Sequence, residues 1–166
     1  MCGGGRADGV HVLLPHSNAR DVSRWVARLP MEYLVCRQAE HWVVVGPTGI
    51  FVVGGSGEDA VAAAESTRHL AHRIRTALSD LVPWVPFIDA LLVSPETDLQ
   101  VPCTVVELAS LEMALLTGST TIDDEGLEQL RRHVPEVLAR LSDGAGAARG
   151  PAVHRPTVLA RPLDPA

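Results

Sequence analysis

Apolar residues recur along the chain at two different spacings, which together predict an alternation of helices and strands. Near the start they recur every three or four residues, as on one side of a helix, at Val22, Trp25, Val26 and Leu29. This helix is predicted to begin at Ser17 or Asn18, whose side chains can cap it, and to run through Leu29, because Pro30 ends it.

Three short apolar runs follow, over residues 32–38, 40–46 and 50–53, and predict strands. The second run is rich in valine, whose β-branched side chain favours strands. Only Pro47, Thr48 and Gly49 separate the second run from the third. Because proline presets φ for a turn and glycine accepts a positive φ, we predict that these two strands form a β-hairpin.

A long amphipathic helix is predicted over residues 58–80, after the glycine-rich residues 54–57. Its apolar stripe has helical spacing and consists of Leu70, Ile74, Leu78 and Leu81. The apolar run at residues 87–93 is typical of a strand covered on both faces, although periodicity alone also fits a buried helix. Residues 101–106 predict one more strand. Helices are predicted over residues 107–116 and 123–141, and Pro135 is expected to kink the last one, because it lacks a backbone N–H.

These elements indicate one α/β domain over residues 10–142, with a mixed sheet that contains an antiparallel hairpin. A flexible lead is predicted at residues 1–9, and a disordered tail rich in Ala, Gly, Pro and Arg at residues 143–166. The three cysteines, Cys2, Cys36 and Cys103, have neither the spacing of a disulfide framework nor that of a metal knuckle. Cys36 and Cys103 are expected to be small core residues.

The charged residues exclude several kinds of site but do not by themselves indicate a particular one. All 14 basic residues are arginine, which excludes sites that need a lysine ammonium, such as a P-loop or a Schiff base. With 20 acidic residues the formal net charge is -6, which argues against tight non-specific binding of nucleic acid except through a local basic face. There is no signal-peptide pattern and no apolar run long enough for a bilayer, so a cytoplasmic protein without a membrane partner is expected. The exclusive use of arginine, together with abundant Ala, Gly and Pro, suggests a GC-rich bacterial genome.

Residues 40–53, Glu-His-Trp-Val-Val-Val-Gly-Pro-Thr-Gly-Ile-Phe-Val-Val, resemble the hairpin motif of the nuclease-related domain (NERD) family. That family has an acidic residue and a histidine, a β-run, a Gly-Pro-x-Gly turn, a second β-run and then Glu-x-Lys. The preceding helix and the later order of helix, strand and strand add looser support over residues 17–141. The resemblance implies a restriction-endonuclease-like fold, a mixed sheet with a central β-hairpin flanked by helices, in which two carboxylates hold a divalent metal and a lysine assists the attacking water.

The chain departs from the family motif at its catalytic end. Glu40 falls at the family's first metal-binding acid, whereas Glu-x-Lys falls on Gly54, Gly55 and Ser56. A single carboxylate holds Mg²⁺ weakly, because the ion usually needs one or two carboxylates together with substrate oxygens. The resemblance therefore implies a catalytically inactive relative without a cofactor, which acts as a nucleic-acid-binding or protein-interaction module.

An enzymatic alternative stays open. Glu58 or Asp59, at the start of the long helix, can replace the lost carboxylate and form with Glu40 the site of a Mg²⁺- or Mn²⁺-dependent DNA nuclease. The simpler role of these two residues is to interact favourably with the helix dipole. His69 and His72 have chelating spacing but lack a third ligand at a supporting position, and no serine lies in a Gly-x-Ser-x-Gly elbow.

Two further segments are candidate anion-binding sites. The first consists of Gly54, Gly55, Ser56 and Gly57. Because it precedes a helix, its N–H groups can receive a phosphate or a nucleotide, although a plain turn also explains it. In the second, Arg68, His72 and Arg75 share one helix face, which predicts contact with DNA phosphates or an acidic protein partner, or else a solvated surface. His41 is expected to be structural and to cap the sheet edge.

Overall fold

The computed structural model describes residues 19–147, and the side chains of residues 21–143. The predicted lead, the predicted caps Ser17 and Asn18, and residues 148–166 of the predicted tail lie outside this part of the chain. The helices are α1 (Ala19–Val26), α2 (Ala60–Ser79), α3 (Leu111–Leu116), which follows a 3-10 turn at Leu108–Ser110, and α4 (Asp124–Ala147). The strands are β1 (Leu34–Gln38), β2 (His41–Gly46), β3 (Gly49–Gly55), β4 (Ile88–Val93) and β5 (Thr104–Val106).

The five strands form one mixed sheet in the order β1-β2-β3-β4-β5. The first three are antiparallel neighbours, and β2 and β3 form the predicted hairpin, in which Gly46 pairs with Gly49. The next two pairs, β3 with β4 and β4 with β5, are parallel. The prediction of an α/β fold with a mixed sheet and an antiparallel hairpin is therefore confirmed.

Alternate residues of the central strands face two different layers of helices, as the period of two in a strand requires. Val43 and Ile50 belong to a buried cluster with residues of α2 and α4. Val44 and Phe51, their neighbours along the strands, belong to a second cluster with residues of α1 and α3. The sheet therefore lies between two layers of helices, in a three-layer α/β/α arrangement with the valine-rich hairpin at its centre. Each fully buried side chain of this size stabilises the fold by about 1.5–3 kcal/mol relative to exposure.

The tip of the hairpin is held by residues that lie far along the chain. The carbonyl of Pro47 accepts hydrogen bonds from the backbone N–H groups of Thr121 at 3.0 Å and Ile122 at 3.1 Å. Thr48 Oγ1 donates to the carbonyl of Leu115 at 2.7 Å. The Gly-Pro-Thr-Gly turn therefore has a structural role, which is to join the hairpin to the segment between α3 and α4.

Several element boundaries differ from the predictions for local reasons. After Val26, α1 gives way to a tighter turn, in which the N–H of Leu29 donates to the Val26 carbonyl at 3.3 Å. The last strand begins at Thr104 instead of residue 101, since Pro102 has no N–H to donate. The tail was predicted to begin at residue 143, but α4 continues to Ala147. Pro135 lies inside α4 and does not end the helix. Within residues 19–147, no helix has the length and apolar character needed to cross a membrane.

Candidate functional site

Glu40 lies in the tight turn between β1 and β2, at the end of the sheet where the resemblance places catalysis. Gln38 pairs with His41, so Ala39 and Glu40 form a two-residue loop. Ala39 has a φ of 51°, as the first position of such loops often requires. The side chain of Glu40 is exposed, so the one acidic group that matches the family motif lies on the outside of the turn.

The position of the family's second carboxylate is occupied by other side chains. Trp42 pairs with Val53, which brings the next residues of the two strands, His41 and Gly54, side by side. A Cβ atom on Gly54 would lie less than 3.0 Å from Thr67 Oγ1 and 3.3 Å from His41 Cδ2. Thr67 is fully buried on α2, and its hydroxyl donates to the carbonyl of Ala63 at 2.7 Å. The place where a glutamate side chain would begin is therefore filled.

His41 was predicted to be a structural residue that caps the sheet edge, but it does not lie at an edge of the sheet. It begins β2, which is an interior strand, and its ring lies beside Gly54. Burial lowers the pKa of His41, while the charge of Glu40 and a hydrogen bond to the backbone of Gln38 partly offset that effect. Because the ordinary value is about 6.5, the ring is mainly neutral at pH 7.

The two carboxylates proposed to replace the missing ligand lie directly before α2. Asp59 is the N-cap of α2, and its carboxylate accepts a hydrogen bond from the N–H of Ala62 at 2.9 Å. Glu58 is exposed beside it. Among the described residues, no three His, Cys, Asp or Glu side chains form a group that could hold a metal ion, and His69 and His72 on α2 are not part of one either.

The glycine-rich segment is only partly a loop. Gly54 and Gly55 are the last residues of β3, where they pair with Leu92 and Val93 of β4. The N–H of Ser56 donates to the carbonyl of Val93 at 2.8 Å, so it already has a partner. Of the four predicted anion-binding residues, two thus belong to β3 and Ser56 is bonded to β4, whereas Gly57 alone is an exposed residue before α2.

The predicted basic residues of α2 do come together, on one wall of an open groove. Arg68, His72 and Arg75 lie there with His69, opposite Phe87, Pro102 and Cys103, and the groove has a volume of about 1100 Å³. Small residues on both walls leave this space open, namely Ala62, Ser66, Ala71 and Ala90. The groove follows from the sheet topology, because β5 extends the sheet beyond the strands β3 and β4 that α2 covers.

The arginines of the groove are not neutralised by neighbouring side chains. In the described part of the chain, Arg68 and Arg75 make no hydrogen bond, and the one ion pair joins His133 to Glu136 at 3.5 Å. The groove has one acidic side chain on its helical wall, Glu65. Asp89 also borders it, but Asp89 pairs with Phe51 and so belongs to the opposite face of the sheet.

The two cysteines that were predicted to be core residues are both half-buried, and one of them lies at the groove. Cys103 was predicted to be a core residue, but it is half-buried at the groove, where burial raises the pKa of its thiol. Cys36, on β1, is also half-buried and packs against the cluster of α2 and α4. Arg73, which flanks the basic residues in sequence, is directed away and donates to the carbonyl of Leu141 at 3.3 Å.

An exposed aromatic side chain was missed by the sequence analysis. Phe87 was assigned to the buried strand at residues 87–93, but β4 begins at Ile88 and Phe87 is 72% exposed at the groove. The signal was available, since Pro86 precedes Phe87 and proline cannot donate to a strand ladder. Trp84, in the same proline-rich segment, is 56% exposed but lies against the start of α4, outside the groove.

Comparisons of this chain with protein-family models, with curated proteins and with solved structures gave no match. The resemblance to the nuclease-related domain family therefore rests on residues 40–53 and on the order of the elements alone.

Proposed function

We propose that this protein is a catalytically inactive relative of the nuclease-related domain family, which binds nucleic acid through the groove beside α2. The hairpin of residues 40–53 and the order of helix, three strands, helix and two strands support this assignment and its restriction-endonuclease-like fold. The basic wall of the groove supports the binding function.

The observation that carries the loss of catalysis is the contact between the end of β3 and α2. Thr67 fills the space into which a side chain at Gly54 would extend, so this end of the strand has no room for a second metal-binding carboxylate. Asp59 is engaged as the cap of α2, and the whole chain contains no lysine to assist a water molecule. A divalent metal and a nucleophile need several fixed groups to be held in place, and here Glu40 is the single remaining one.

The groove offers the groups that a phosphate backbone needs. Arg68 and Arg75 are exposed and free of ion pairs among the described residues, and a guanidinium donates charge-assisted hydrogen bonds to phosphate oxygens. They lie seven positions apart on one helix, so their backbones are separated by about 10 Å. His69 and His72 lie between them on the same wall of the groove.

Incubation with supercoiled plasmid tests the loss of catalysis, and mobility shifts of labelled single-stranded and duplex oligonucleotides at low salt test the binding. With and without Mn²⁺, we expect no nicking of the plasmid and a mobility shift of at least one kind of oligonucleotide, and we expect Glu40→Ala to behave as the parent protein does. Metal-dependent nicking that disappears in Glu40→Ala would overturn the inactive assignment and favour the nuclease alternative.

A matched pair of variants tests the place of binding. Arg68→Gln with Arg75→Gln removes two positive charges from the groove, and we expect the mobility shift to be lost. Arg132→Gln with Arg140→Gln removes two charges from exposed positions of α4 and is expected to leave the shift nearly unchanged. Equal effects of the two pairs, or no shift of the parent protein with either single-stranded or duplex nucleic acid at low salt, would contradict binding through the groove.

A further inference from the structure

The groove has the shape of a cleft, and this restricts the kind of nucleic acid that it can accept. A helix that reads a DNA duplex must enter the major groove, which is about 12 Å wide, and so must protrude from its domain. The basic face of α2 instead forms one wall of a cleft, and Phe87, Pro102 and Cys103 form the other. The basic residues thus face a second wall and do not protrude as a recognition helix does, which favours a flexible single strand over a rigid duplex.

The cleft also has an aromatic ring beside its cations. Phe87 is 72% exposed, which leaves most of an apolar ring in water, and it lies across the groove from Arg68 and Arg75. Proteins that bind single strands combine a basic groove, which follows the backbone, with aromatic side chains on which bases stack. In a duplex the bases are already stacked on one another, so a ring beside the groove would gain little.

From this arrangement we propose that the groove binds a single-stranded nucleic acid, with the phosphates on Arg68 and Arg75 and one base stacked on Phe87. The low aromatic content of the chain, 4%, is compatible with this, since a single ring provides the stacking and the arginines provide most of the attraction. This inference rests on the proposed nucleic-acid-binding function and narrows its ligand to strands with free bases.

Fluorescence anisotropy with a labelled thymidine oligonucleotide of about 15 nucleotides, a typical site size, tests the proposal. We expect binding to the single strand to be at least tenfold tighter than binding to the same strand paired with its adenine complement. A uridine oligonucleotide of the same length shows whether the groove prefers RNA or DNA. The proposal is supported if either single strand binds more tightly than the duplex.

The role of the ring is tested separately. Loss of one stacked base corresponds to a roughly five- to hundredfold weaker affinity, so Phe87→Ala is expected to weaken single-strand binding by this factor without changing the weak binding of the duplex. Trp84→Ala is the matched control, since it removes an exposed aromatic side chain outside the groove. Because both side chains are exposed, we expect both variants to keep the thermal unfolding midpoint of the parent protein.

The failures of the two proposals are distinguishable. Duplex binding as tight as single-strand binding, or equal effects of Phe87→Ala and Trp84→Ala, would overturn the single-strand proposal and leave nucleic-acid binding intact. Absence of binding to every oligonucleotide at low salt would overturn both.

Discussion

Thr67 Oγ1 lies less than 3.0 Å from the point that a Cβ atom on Gly54 would occupy. Real Cβ atoms essentially never show so short a contact, so the two residues fit together only because position 54 has no side chain. The contact joins α2 to the end of β3, at the place where the family resemblance expects the second metal ligand. It therefore provides a test of the fold and of the filled site together.

We expect Gly54→Ala to lower the free energy of unfolding by about 1–3 kcal/mol, as overpacking in a core does. Thr67→Ala alone should lower it by about 1 kcal/mol, because the hydrogen bond to the Ala63 carbonyl is lost. Since this variant also removes the clashing oxygen, the loss in the double variant should be smaller than the sum of the two. Urea denaturation measures the three changes, and strictly additive losses would contradict the contact. Gly57→Ala, which adds a methyl group in open space, is the control.

Acid is expected to destabilise the protein through His41. Burial lowers the pKa of this residue in the folded state, so at a pH just below its ordinary value of about 6.5 the unfolded chain binds a proton that the folded chain does not. Neutral His41 therefore makes its full contribution to the free energy of unfolding above that pH, and this contribution decreases as the pH falls below it. Urea midpoints between about pH 7.5 and pH 5 should decrease less in His41→Gln than in the parent protein. The exposed His69→Gln is the control, and an identical pH dependence in His41→Gln and the parent would contradict the prediction.

The hydroxyl of Thr48 is expected to stabilise the hairpin tip. Thr48→Val keeps the shape of the side chain but removes the hydrogen bond to the Leu115 carbonyl, which should lower the free energy of unfolding by about 1–2 kcal/mol. The same change at Thr120, an exposed residue of the adjoining segment, should have an effect within about 0.5 kcal/mol. Equal midpoints of the two variants in urea would contradict a structural role for the turn.

Pro135 is expected to be a weak point of α4. It lies inside the helix and is exposed, so Pro135→Ala restores a backbone donor without disturbing the core. Proline costs about 3 kcal/mol in a helix interior, and local adjustment can offset part of this cost, so we expect a gain of about 1–2 kcal/mol in the free energy of unfolding. Thermal unfolding measures it against Arg132→Ala, an exposed change in the same helix. A lower midpoint in Pro135→Ala than in the parent protein would contradict the prediction.

Binding of nucleic acid should depend on salt in proportion to the arginines of the groove. Each phosphate contact contributes roughly 0.7–0.9 to the slope of log affinity against log salt concentration. The variant that combines Arg68→Gln and Arg75→Gln should therefore show a slope smaller by about 1.5 than that of the parent protein. Titrations at several salt concentrations measure it, and an unchanged slope would place the phosphate contacts elsewhere.

The parts of the fold that depend on local sequence were predictable. The hairpin follows from valine-rich runs on either side of Pro47, Thr48 and Gly49, and α2 follows from apolar residues at helical spacing. The predicted group of Arg68, His72 and Arg75 on one helix face was also right, because helical periodicity alone brings these residues together.

The features that depend on how the elements pack could not be predicted in the same way. Nothing in the local sequence around Thr67 indicates that its hydroxyl meets Gly54, since this contact depends on the position of α2 over β3. Cys103 has apolar neighbours in the sequence and was assigned to the core, but β5 is short and lies at the sheet edge, where a groove remains open. The end of α4 was placed too early because glycine is common there, although alanine favours a helix.

The attachment of the hairpin tip has a consequence for the order of folding. Thr48 is bonded to residues that lie 67 and 73 positions later, Leu115 and Thr121. Contacts across so many residues require the closure of a long loop, which slows the approach to the native state. During synthesis the strands β2 and β3 leave the ribosome well before these partners do. The hairpin that carries the family resemblance is therefore expected to begin early as a local structure and to become fixed only when nearly the whole domain has been made.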